Sequence, residues 1–127
     1  MADECNSCSP SHAKDWAGDW RSLAGLWGVP GALMLAAGLL GPMPRTVIWT
    51  IMLSWMAAAC FANARRCGRT HCRITAPFFV VMAILVVGYA TGTVPLGEHG
   101  WLILGSVTVV GHAVLWWGSE RVWGTFS

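Results

Sequence analysis

Five cysteines and four histidines carry most of the chemistry this chain can offer. Cys67 and Cys72 lie in the string Asn63-Ala-Arg-Arg-Cys-Gly-Arg-Thr-His-Cys-Arg73, where Arg66, Arg69 and Arg73 stand next to them in sequence. Neighbouring cations raise the thiolate fraction of a cysteine, and the thiolate is the form that binds metal or attacks a disulfide. His71 adds an imidazole nitrogen beside Cys72. Cys5-x-x-Cys8 forms a second pair, at a spacing that closes a chelate on zinc, copper(I) or mercury(II), or that performs disulfide exchange. Cys60 and His112 sit alone in apolar sequence. A free cysteine there reads either as a small buried hydrophobe or as a ligand on an ion path. A histidine inside a span marks an ion path or a hydrogen bond between helices. The candidate metal ligands are therefore Cys67, Cys72, Cys5, Cys8, His71, Cys60 and His112. Four thiols from the two pairs are enough for a tetrahedral zinc site, whereas a linear two-thiolate ion such as mercury(II) needs only one pair.

The arginines of the string have a simpler reading as a topology signal resting on anionic lipid. That role accounts for most of them and for neither cysteine. Other chemistry has little raw material. Asp3, Glu4, Asp15, Asp19, Glu98 and Glu120 all fall in expected tails or loops, and no nucleophile elbow or His-x-x-x-His helix occurs. The chain is expected not to be an enzyme and to need no cofactor beyond a bound or transported soft metal ion. A net charge of +2, with the arginines clustered, argues against a nucleic-acid partner.

The elements that must position these residues are membrane spans. Charged residues are 11% of the chain, against about 25% in soluble domains, and hydrophobic residues are 55%. Crossing a hydrocarbon core of about 30 Å takes about 20 mainly apolar residues. Four segments qualify, at about residues 23–41, 46–64, 74–97 and 101–118. Lipid admits only helices or closed barrels, and no period-2 pattern is present. The expected fold is an all-α membrane protein of four transmembrane helices in two antiparallel hairpins, joined by the basic segment as a loop. A helix end near Pro95 and a helix start at Thr75-Ala-Pro77 are expected, since proline suits a first turn. Residues 1–22 read as a polar tail ending in a short interfacial helix, with Trp16, Trp20 and Leu23 at i, i+4 and i+7. Residues 23–127 form the transmembrane domain. No cleaved leader is expected from the start Met-Ala-Asp-Glu-Cys.

Orientation follows from lysine and arginine in short loops. With the basic loop inside, Lys14, Arg21, Arg65, Arg66, Arg69, Arg73 and Arg121 share the cytoplasmic side, and Arg45 alone faces out. Both termini are then cytoplasmic, in the inner (plasma) membrane. Every cysteine lies on or near that side, as do His12 and His71, where reducing conditions keep thiols free. Most of the tryptophans fall near span ends, at the headgroup level they favour.

The short four-span plan and the cytoplasmic Cys67/Cys72 pair resemble the inner-membrane mercury transporters of bacterial mercury-resistance systems. The resemblance implies uptake of mercury(II) and thiol-to-thiol handover to a cytoplasmic thiol-bearing acceptor, with Cys67 and Cys72 as acceptors on the inner side. Those transporters also carry a cysteine pair in their first span, and residues 23–41 contain none. Three functions are expected to compete: heavy-metal transport or resistance, a thiol–disulfide oxidoreductase of the membrane, and a non-catalytic subunit or scaffold of a homo- or hetero-oligomeric complex. The lipid bilayer is the one partner common to all three.

Overall fold

The computed structural model describes residues 19–68 and 70–124, with Cys67 by its backbone alone. Cys5, Cys8, His12 and Arg69 lie outside the described residues. The described chain is all-helical, with four helices in succession. Helix α1 is built from three continuous pieces, Trp20–Leu23, Ala24–Gly28 and Val29–Ala37; α2 is Pro42–Cys67, α3 is Thr70–Ala90 and α4 is Gly100–Trp123.

Asp19 caps α1, accepting hydrogen bonds from the Ser22 amide and hydroxyl at 3.3 and 3.0 Å. The wider π-type stretch Ala24–Gly28 runs into Pro30. Proline has no N–H and its ring crowds the carbonyl four residues back, so a local widening of the helix relieves both. Two prolines, Pro42 and Pro44, open α2, where first-turn amides need no helical partner. At its other end Gly68 takes a left-handed conformation, φ 63°, and its amide bonds back to the Ala64 carbonyl at 2.8 Å. This is a glycine C-cap, and a side chain would be strained there.

The basic segment is therefore helical on both sides of a tight turn, rather than the loop its charge suggests. Arg65 and Arg66 occupy the last turn of α2, where cations favour the helix C-terminus, and Arg73 lies in α3. Helix α3 begins at Thr70, so Pro77 falls inside it rather than at its start. It ends at Ala90, five residues before Pro95. There the amides of Thr93 and Val94 both return to the Gly88 carbonyl, and Gly92 has φ 79°.

Consecutive helices pack together, and the most extensive interface is α2 against α3, the pair joined at the basic turn. Leu53, Phe79, Met82 and Val86 are fully buried along it. At the other end of the bundle Trp101 is a hub. Its ring meets Trp49 and Tyr89 edge-to-face at 5.5 Å each, with the Arg45 guanidinium 5.1 Å away. Three helices are long and apolar enough to cross a bilayer: Pro42–Arg66, Thr70–Ala90 and Gly100–Trp123. Large apolar side chains such as Leu35, Ile84 and Val109 point outward, as a lipid-facing surface requires. The chain is a multi-pass membrane protein. Helix α1 has 18 residues across its three pieces.

Candidate functional site

The α2–α3 interface draws a polar cluster together near the basic turn. Cys60 on α2 and Cys72 on α3 are both fully buried free thiols, and their sulfurs interact with each other. Cys60 lies about two helical turns before the end of α2, and Cys72 lies in the first turn of α3. The antiparallel turn between those helices is what brings two such positions level.

Each thiol is ringed by hydrogen-bonding groups. The Asn63 side-chain amide donates to Cys72 Sγ at 3.4 Å. The Trp27 indole and the Thr75 hydroxyl lie against Cys60. Trp27 is 7% exposed and its Nε1 completes no hydrogen bond among the described residues. Thr75 also donates to the His71 carbonyl, four residues back in the helix.

His71 joins this cluster to α4. Its Nε2 is 3.3 Å from Cys72 Sγ, and its Nδ1 is 2.7 Å from Glu120 Oε1. The imidazole stacks flat on Trp116, with centroids 4.1 Å apart and planes 7° from parallel. Beyond Trp116 comes His112, 5.5 Å away and edge-on, which also meets Phe79 at 5.1 Å. His112, Trp116 and Glu120 recur every four residues, so they form one stripe on α4 facing α3.

Chemically this is a thiol, an imidazole and a carboxylate in series, with a second thiol beside the first. When Nδ1–H is donated to Glu120, Nε2 presents its lone pair to the Cys72 S–H. The arrangement can hold a soft cation between two sulfurs and receive a displaced proton. No group of three or more His, Cys, Asp or Glu side chains is placed to hold a metal ion among the described residues, so a two-sulfur site is what the helices themselves offer.

Of the residues expected as ligands, the structure brings Cys60, Cys72 and His71 into contact and sets His112 one aromatic ring away. Cys67 ends α2, and its side chain is not described; Cys5 and Cys8 lie outside the described residues. Arg66 and Arg73 are exposed while Cys72 points inward, and Asn63, His71 and Cys60 approach this thiol. Sequence reasoning missed Glu120 by ending the fourth span at residue 118; the helix runs on to Trp123. The spacing His112-x3-Trp116-x3-Glu120 was the signal that could have found it. No family model, curated protein or solved structure matches the chain.

Proposed function

We propose that the protein binds and moves a soft, thiophilic metal ion of the mercury(II) type, with Cys60 and Cys72 as its intramembrane ligands. The observation that carries this reading is the contact between two buried free thiols on neighbouring helices. Soft thiolates select soft ions, and a linear two-sulfur geometry needs no further ligand. His71 and Glu120 supply a place for the proton that a thiol loses on binding. Cys67, at the end of α2, and the Cys5/Cys8 pair are the next sulfurs along the chain, suited to pass the ion by ligand exchange to a cytoplasmic thiol-bearing acceptor. The resemblance to bacterial mercury transporters points the same way.

In this proposal all four helices cross the plasma membrane and both termini are cytoplasmic. Seven of the eight lysines and arginines then share the inner side. The protein acts as a carrier rather than an enzyme.

A second reading has its own support. Two thiols in contact, one of them against an imidazole–carboxylate pair, also suit reversible disulfide formation. One experiment addresses both. The full chain carrying Cys5→Ser, Cys8→Ser and Cys67→Ser is purified reduced, and mercury(II) is titrated against the ultraviolet sulfur-to-metal absorption. One equivalent is expected to bind, and either Cys60→Ser or Cys72→Ser is expected to weaken binding about a hundredfold, or about 2.8 kcal/mol. Absence of tight binding, with ready loss of both alkylatable thiols on mild oxidation, would replace the metal reading with the disulfide one.

A further inference from the structure

Helix α1 packs on α2, and α4 packs on α3. Between α1 and α4, above the α2–α3 interface, runs a groove of about 770 Å³. Small-molecule sites commonly have a volume of about 300–1,000 Å³ with mostly apolar walls and a few polar groups. Met34 and Leu35 form one wall, Met56 and Phe79 the floor, and Val109 and His112 the other wall. All six lie within the helices that build the bundle, so whatever occupies the groove comes from the bilayer.

Ser106, Thr108 and His112 are polar residues on the lining of this groove; the Thr108 hydroxyl already donates to the Leu104 carbonyl at 2.7 Å, whereas His112 has a ring nitrogen to spare. Its Nδ1 is buried and has no hydrogen-bond partner among the described residues. A buried polar atom left unpaired is costly, and the cost is removed by an occupant that supplies a partner once the imidazole turns toward it. Depth decides which occupant can do so. His112 is twelve residues beyond the start of α4, about 18 Å along the helix at about 1.5 Å per residue, which is near the middle of the hydrocarbon. Phospholipid chains carry no polar atom there. A neutral molecule dissolved wholly in the membrane can, if it carries a carbonyl on a flat ring and an apolar tail. The His112 ring, partly exposed and backed by the buried Phe79 at 5.1 Å, offers an aromatic face for such a headgroup.

We propose that the groove between α1 and α4 binds an isoprenoid quinone, with its headgroup at His112 and its tail along Met34 and Val109. This site is separate from the thiol pair, and binding is expected to survive Cys60→Ser/Cys72→Ser unchanged.

The test uses the full chain in lipid nanodiscs and a decyl-tailed benzoquinone as probe. Trp49 and Trp101 line the groove, so quenching of tryptophan fluorescence reports occupancy. Quenching is expected to saturate in the unaltered protein. Nothing lies within 4 Å of a Cβ added at Gly31, so Gly31→Phe fills the groove without a backbone clash and is expected to weaken saturable binding at least about tenfold. His112→Phe keeps a ring and removes the polar atom; about a five- to tenfold loss is expected. Circular dichroism checks that each variant folds, and Val109→Trp blocks the groove from the opposite wall should Gly31→Phe fail to fold. Quenching that rises without saturation, or that is the same in the blocked variants, overturns the proposal. So does equally effective relief of that quenching by decylbenzene as a competitor, since it has the ring and tail but no carbonyl.

Discussion

His71 uses both ring nitrogens, one toward Cys72 and one toward Glu120, while fully buried and stacked on Trp116. The carboxylate is 18% exposed, so the pair sits where water screens it little. Glu120→Ala leaves Nδ1 without its acceptor and is expected to cost about 1–3 kcal/mol. Glu120→Gln keeps an amide oxygen in place and is expected to recover most of that loss. Denaturant midpoints in micelles, followed by tryptophan fluorescence, measure both; an alanine variant as stable as the parent would show that the contact contributes nothing. At this scale the sequence was legible in residue types but not in partners. The cysteines and His71 stood out as reactive groups. That Cys72 meets Cys60, twelve positions earlier, depends on the antiparallel return of α3 along α2. No local spacing encodes that return.

Element ends explain the largest departures from a sequence reading. Hydropathy ends a span where charge begins, yet Arg65, Arg66 and Arg73 remain helical because long side chains carry their charge outward while the backbone continues its hydrogen bonds. The same rule ended the fourth span too early and hid Glu120. Pro77 misled in the opposite direction, since a proline inside a membrane helix is tolerated when neighbouring groups satisfy the freed backbone. Arg45 shows an element end held by one side chain. Its Nη2 donates to the Gly38 and Leu40 carbonyls at 2.6 and 2.8 Å, and its Nε to Ala37 at 3.4 Å. Carbonyls at a helix end receive no amide from a following turn, although that of Ala37 also accepts the Leu40 amide at 3.0 Å. The Trp49 indole ties α1 a second time, donating to the Met34 carbonyl at 2.9 Å. Arg45→Met keeps much of the apolar stem but none of the donors. It is expected to cost about 1–3 kcal/mol and to speed amide exchange over residues 36–41 by at least about tenfold, read by hydrogen–deuterium exchange. Arg45→Lys, a single point donor, is expected to fall between the two. Unchanged exchange in Arg45→Met would show that the indole alone holds the corner.

The whole molecule turns on whether α1 crosses. Eighteen residues of helix at about 1.5 Å per residue reach about 27 Å, slightly short of a hydrocarbon core of about 30 Å. The turns at Gly38, Leu39 and Leu40 extend the apolar stretch beyond Ala37, and a small mismatch is absorbed by local thinning. Four crossings place the two termini on one side; three place them on opposite sides. The charge distribution favours four, because an N-terminus on the outer side would take Lys14 and Arg21 away from the other basic residues. The packing agrees, since α1 buries Trp27, Met34 and Ala37 against the bundle rather than lying free of it. Reporter fusions at residue 1 and after residue 127 are therefore expected to be active only in their cytoplasmic form. Replacing Arg65, Arg66 and Arg73 with glutamate is expected to scramble or invert that pattern, because it removes the main inward signal while leaving the apolar helices intact. An N-terminus on the outer side in the unaltered chain would leave three crossings. The Cys5/Cys8 pair would then face outward, opposite the basic turn, where it could catch an incoming ion but could no longer relay one inside.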